Sequence, residues 1–272
     1  MHRQSLLALG SMLLLSCAGA GPIYEFRPTD TPLRYAISDH GDLLIETPMG
    51  DQHSTDSTNA AIVLEVGARR GDGREVSVYF EALEIWTGGD IAVQHIEGGG
   101  LIGKRFGGAL SEQGTITVSA APDIPENVRR AVDPVTIFAD FLSPLPPGGG
   151  ETGEPWNHTS ASSAKTAMSV ESSYKGMARF AGDTIWSGQP ARIIVSEGTT
   201  TTTGRGTPAG APGEILFTLS GTSVTRYVWD PARGIMLASS ARVEARGELE
   251  VIDMQMTMPI AYAGGREVSL QR

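Results

Sequence analysis

The sequence predicts a mainly β protein, an antiparallel curved sheet or half-barrel, with a small α segment packed on the sheet. Three observations predict it. Over long stretches apolar and polar residues alternate with a period of two, which puts successive side chains on opposite faces of a strand. Only residues 122–143 repeat their apolar positions at helical spacing. Glycines, 34 in 272 residues, recur inside the alternating stretches, where they mark bulges, bends or close backbone approach.

The chain opens MHRQSLLALGSMLLLSCAGAG. Arg3 precedes an apolar run from Leu6 to Leu15 that is too short to cross a bilayer as a helix, so residues 1–17 read as a signal peptide. Leu14, Leu15, Ser16 and Cys17 resemble the lipobox of bacterial lipoproteins. That resemblance implies diacylglyceryl transfer to Cys17, cleavage before it and acylation, palmitate included, of the new terminus. The alternative is an ordinary secretory signal in which Cys17 is incidental. Cys17 is the only cysteine in the sequence, so a chain read as exported uses no disulfide. Several acyl chains anchor a protein stably where one does not. Ala18 stands after the cysteine where an Asp would be read as retention, and in the enteric version of the family this implies release to the outer membrane. The expected place is therefore the bacterial cell envelope, lipid-anchored and facing the periplasm.

Acidic residues number 31 against 21 Lys and Arg, a formal charge of −10. Loss of residues 1–17 removes one arginine and no acid. Such a surface repels nucleic acid and anionic lipid, and its basic residues are scattered, so no nucleic-acid partner is expected. The charge keeps a tethered domain soluble.

Residues 18–32, short and Pro-bearing, read as the tether between lipid and fold. The N-terminal β half spans 33–121. In TNAAIVLEVGAR, Ala60, Ile62, Leu64, Val66 and Ala68 share one side, and REVSVYFEALEIW continues the period through Val76, Val78, Phe80 and Ala82. RRGDGRE between them, with Gly71 and Gly73 free to take positive φ, makes the pair a hairpin. The helical segment, 122–143, has two start signals: Asp123 with Glu126, and Asp133 before Pro134. Its stripe of Val135, Phe138, Phe141 and Leu142 is expected to face a sheet. Residues 144–155, rich in Pro and Gly, read as a linker. The C-terminal β half covers 156–272, interrupted by Thr199–Gly213, which has no large apolar residue and reads as a mobile loop. RFGGALSEQGTITVS and RYVWDPARGIMLASS echo one another faintly, which suggests two related halves.

GGGLIGKRFGG, from Gly98 to Gly108, matches two nucleotide-binding templates on paper. Both need a helix immediately afterwards, and one needs a hydroxyl after Lys104. Arg105 stands there, followed by alternation and a turn. Phosphate binding is therefore disfavoured, and the reading preferred is curvature, with Gly103, Gly107 and Gly108 letting the sheet bend around Phe106.

In ARVEARGELEVIDMQMTMPIAY the apolar face holds odd positions to Val251, then shifts to Ile252, Met254, Met256, Met258 and Ile260. This predicts a β-bulge near Val251 and Ile252, or else a tight change of sheet. The three methionines are read as core, as the lining of an adaptable apolar pocket, or as soft-metal ligands. The last of these resembles the methionine motifs of exported copper-handling proteins, but no cysteine and no nearby histidine supports it. His40, His53, His95 and His158 are isolated and read as turn or surface residues. With no nucleophile elbow and no paired histidines, the sequence predicts a non-catalytic protein with no catalytic residue, no metal site and no cofactor.

In outline the chain is similar to the half-barrel lipid and lipoprotein carriers of the periplasm, and to uncharacterised β-rich bacterial lipoproteins. The first resemblance implies an apolar cavity between a curved sheet and helices. On that reading Phe106, Phe138, Phe141, Met254, Met256 and Met258 touch a hydrophobic small molecule or lipid. The alternative is a structural lipoprotein with a filled core that meets an envelope protein. An empty apolar cavity of about 300 to 1,000 Å³ favours the first, close packing the second.

Overall fold

A computed structural model describes residues 24–71, 73–89, 93–139, 141–150, 153–166, 168–208 and 211–271. Cys17, the signal peptide and the first part of the tether lie outside the described residues.

The strands are β1 (Leu33–Thr47), β2 (Gly50–Arg70), β3 (Gly73–Gly89), β4 (Gln94–Glu97), β5 (Arg105–Ser111), β6 (Ile116–Ala120), β7 (Trp156–Lys165), β8 (Met168–Trp186), β9 (Gln189–Gly206), β10 (Ile215–Asp230), β11 (Ile235–Val251) and β12 (Met256–Leu270). They form one antiparallel sheet in the order β6-β5-β3-β2-β1-β12-β11-β10-β9-β8-β7, with β4 paired beside β5 on β3, curled into a half-barrel. From β1 the chain meanders outward to the edge strand β6, crosses to the opposite edge at β7, and meanders back until β12 pairs with β1 at the centre. The crossing carries two six-residue helices, α1 (Glu126–Ala131) and α2 (Pro134–Ala139). α2 contacts both β6 and β7, so it bridges the seam between the two edges. Residues 33–121 supply one wing and 156–272 the other.

Curvature comes from breaks in the ladder. Register shifts occur in β2–β3, β5–β6, β8–β9 and β10–β11, and each inserted residue bends and twists its strand. One falls between Gly107 and Gly108, where the sequence predicted bending. On β11, a Cβ at Gly247 would collide with the Thr218 carbonyl oxygen, so only glycine lets those two backbones come so close. A bulge around Glu81 also changes which β3 residues face inward. Val76, Val78 and Phe80 are buried as predicted, but the phase then passes to Leu83 and Ile85 and leaves Ala82 exposed.

The main core fills one end of the half-barrel, here called the capped end, which also carries the β2–β3, β8–β9 and β10–β11 turns. Phe80, Phe106 and Phe138 pack ring against ring at 4.9 to 6.1 Å between centroids, and Tyr35 meets Phe141 at 5.4 Å. Residues 141–146 are buried among them, with the Leu145 amide donating to Gln113 O at 3.2 Å. The start of the predicted linker is therefore part of the plug. The end of the predicted tether is likewise a strap pinned to the core: Tyr24 and Phe26 are buried, Tyr24 packs on Phe180 at 4.6 Å, and Phe26 meets Trp229 edge-on at 4.9 Å.

Three further expectations change. Thr199–Gly206 is not a loop but the last part of β9, paired with β8 on one side and β10 on the other. A central strand whose backbone groups are satisfied on both sides needs no large apolar side chain to hold it. Near Val251 there is neither bulge nor change of sheet. Val251 pairs with Met256 across a turn through Ile252–Met254 and a left-handed Gln255, so the apolar phase shifts because the chain reverses. In the helical segment Asp133 does cap α2, accepting from the Val135 amide at 3.0 Å, whereas Pro125 rather than Asp123 stands before α1.

Candidate functional site: a hydroxyl-lined trough

Strand register turns short local patterns into rows across the concave face. One inward row reads Thr58, Asp39, Arg266, Ala241, Thr225, Ser196 and Ala178 from β2 to β8. The next row reads Asp56, Gly41, Gly264, Val243, Ser223, Gly198, Gly176 and His158 from β2 to β7. The row beyond holds Leu43, Tyr262, Thr200, Tyr174 and Ser160. Further rows bring in Ile45, Ile260, Leu219, Met258, Leu249 and Phe217, which form a second apolar cluster toward the far end. A polar belt thus separates two apolar zones on one surface. The belt lines a cavity of about 440 Å³ whose roof is Val132, Thr136 and Ile137, at and beside α2.

Four glycines, two on each side of Val243 and Ser223, lower the floor of the second row, and neighbouring groups lean over its ends. A Cβ at Gly41 would lie 2.6 Å from Asp56 Oδ1 and 2.7 Å from the Tyr262 hydroxyl, so both groups occupy the space that glycine leaves. At the β7 end the Tyr174 hydroxyl leans over Gly176 in the same way. The row therefore ends in two polar clusters, Asp56 with Tyr262 and His158 with Tyr174.

Arg266 donates from Nε to Asp39 Oδ1 at 2.6 Å and from Nη2 to Asp39 Oδ2 at 2.8 Å, a bidentate pair with both side chains largely shielded. Asp56 has access to solvent, yet the trough walls remove enough water, with Asp39 nearby, to hold its carboxyl above the usual range. Burial, helped by the charges of Asp56 and Asp39 against Arg266, pushes the Tyr262 hydroxyl up to about 12. Burial pulls His158 down to about 4, so its imidazole is neutral at neutral pH. His158 Nδ1 and the Tyr174 hydroxyl each lie 2.7 Å from the buried Ser196 Oγ. The chain can run either way. When Tyr174 donates to Ser196 and Ser196 to Nδ1, the proton of His158 is on Nε2; in the reverse arrangement the free donor is the Tyr174 hydroxyl. The site can therefore offer donors and acceptors together with one carboxylate.

The six predicted contact residues do not meet. Phe106, Phe138 and Phe141 are close-packed in the capped core. Met254 is exposed in the β11–β12 turn, and Met256 and Met258 belong to the far apolar cluster. None of the six lines the trough. The phenylalanine stripe was read correctly as inward-facing, but the space between sheet and helix there is filled. His158 is not a turn or surface residue. His40 is exposed, His53 lies 3.6 Å from Asp42, and His95 stacks on Trp86 at 3.8 Å between ring centroids. The local signal for the trough was the alternation Trp156, His158, Ser160, Ser162 along β7, an inward face that turns from aromatic to hydroxyl.

No protein-family model matches this chain, and no curated protein matches it significantly.

Proposed function

We propose that this protein is a non-catalytic envelope lipoprotein, held in the membrane by acyl chains on Cys17, whose half-barrel binds an amphipathic lipid-like molecule. The observation that carries the reading is the continuity of one concave surface. The polar belt runs directly into the far apolar cluster, and Tyr262 belongs to both. A hydrocarbon chain gains from the strip of Leu43, Ile45, Phe217 and Met256, whose side chains are only partly covered. Its polar end then meets the belt. The predicted anchor is compatible with this arrangement. From Cys17 to Tyr24 the chain spans at most about 25 Å when fully extended, and Tyr24 is fixed at the capped end. The capped end would then lie near the bilayer, with the far apolar strip pointing away from it.

The filled phenylalanine core favours a second reading, a scaffold that meets an envelope protein and holds no ligand. Native mass spectrometry of the chain from residue 18, purified from its own envelope, separates the two. A co-purifying lipid-like mass supports carriage, and a bare protein mass supports the scaffold. Intact-mass analysis of the full-length protein after expression in a bacterial envelope tests the anchor separately, through the mass added at Cys17.

A further inference from the structure

We propose that the headgroup received in the trough is an uncharged, polyhydroxylated one, a glycosyl or polyol group. This rests on the reading that an amphipathic molecule occupies the concave face, and it adds what the polar end must be.

Charge narrows the choice first. The cavity is lined by Asp39, Asp56, Arg266, His40 and His158 among groups able to carry charge. Arg266 is taken up by Asp39 through two hydrogen bonds, and burial keeps His158 neutral. Asp56 is then the carboxylate left to face a ligand; His40, on the rim of the cavity and exposed, acts on Asp56 with its charge. A phosphate, sulfate or carboxylate headgroup would be repelled by Asp56, and the guanidinium of the belt, Arg266, already serves Asp39.

Hydrogen-bonding capacity narrows it further. The belt along β7 to β10 is built of hydroxyls such as Ser160, Ser162, Ser223 and Thr225, each able to donate once and accept twice. A sugar hydroxyl has the same dual capacity, whereas an alkylammonium group can only donate and would leave the donors of the belt unanswered. The geometry fits a ring. The glycine row keeps the floor low, with Val243 and Ser223 the side chains between its ends; Asp56 and the Tyr262 hydroxyl lean over one end, where the carboxylate can accept from neighbouring hydroxyls, and the reversible Tyr174–Ser196–His158 chain stands at the other to donate or accept.

The test is calorimetric titration of the chain from residue 18, which keeps the whole described sheet. The probes are dodecyl maltoside, dodecyl phosphate, dodecylammonium and free maltose, each below any micelle-forming concentration. Dodecyl maltoside should bind at least about tenfold more tightly than dodecyl phosphate. Asp56→Ala should weaken dodecyl maltoside about tenfold, as expected for losing a hydrogen bond to a charged group, and should leave dodecyl phosphate unchanged or tighter. Tyr262→Phe keeps the ring and should weaken the maltoside alone. Equal binding of maltoside and phosphate, or tightest binding of the ammonium probe, overturns the headgroup assignment while leaving carriage intact. Free maltose binding as tightly as dodecyl maltoside supports the headgroup class but assigns it to a free glycan, which overturns carriage. Absence of binding by all four overturns both.

Discussion

Acidification should destabilise this fold through His158 by an amount that can be isolated. The imidazole sits in the trough wall with its ordinary value of 6.5 brought down to about 4 by burial. Above pH 6.5 it is neutral in both folded and unfolded chains and contributes no pH dependence. Between pH 6.5 and 4 the unfolded chain takes up a proton that the folded one refuses, so stability falls as pH falls. Below pH 4 both states are protonated and the loss is complete. The difference between the two values corresponds to about 3 kcal/mol. Other groups titrate in this range, so the quantity to measure is a difference. Urea unfolding of wild type and His158→Gln, from pH 8 to pH 4, gives it; glutamine preserves a polar partner for Ser196 but does not titrate. Wild type should lose about 3 kcal/mol more than the variant over that range, nearly all of it below pH 6.5. Parallel pH profiles for the two proteins would refute the placement of His158 in a water-poor wall.

Three other outcomes follow from the packing and the electrostatics. Phe138 is fully buried between Phe80 and Phe106, so Phe138→Ala should cost about 3 to 5 kcal/mol in urea unfolding. Gly247→Ala forces a methyl group against the Thr218 carbonyl where β10 and β11 come close; it should lower the thermal midpoint by several degrees, whereas Glu248→Ala on the outward face should have little effect. Because the charge of Asp56 helps hold the Tyr262 hydroxyl up near 12, Asp56→Asn should move the ultraviolet titration of that phenol toward its ordinary value. An unchanged titration would separate the two groups.

What the sequence disclosed depended on how local each signal was. The β2–β3 hairpin was legible because its turn and both alternating faces lie within one continuous stretch. The shift at Val251 is legible but ambiguous, since a four-residue turn and a bulge both exchange odd for even positions, and only the pairing of Val251 with Met256 distinguishes them. The threonine run reads as a loop on its own because its stability comes from β8 and β10, which the run itself does not reveal. The trough was invisible for the same reason. Asp56, Gly41, Gly264 and His158 lie far apart in the chain, and only the register of eight strands puts them in one row. The aromatic stripe was legible as core, but whether a core holds a cavity depends on how rings from β3, β5 and α2 interlock.

The trough as the binding surface is most directly tested by site-selective protection. The chain from residue 18 has no cysteine, so one introduced thiol reports on one position. Ser223→Cys places it on the glycine row facing the trough, and Thr222→Cys places it on the outer face of the same strand. With dodecyl maltoside bound, maleimide labelling should slow at least about tenfold at position 223 and stay unchanged at 222. Equal rates at both positions, with and without the bound amphiphile, would contradict the account.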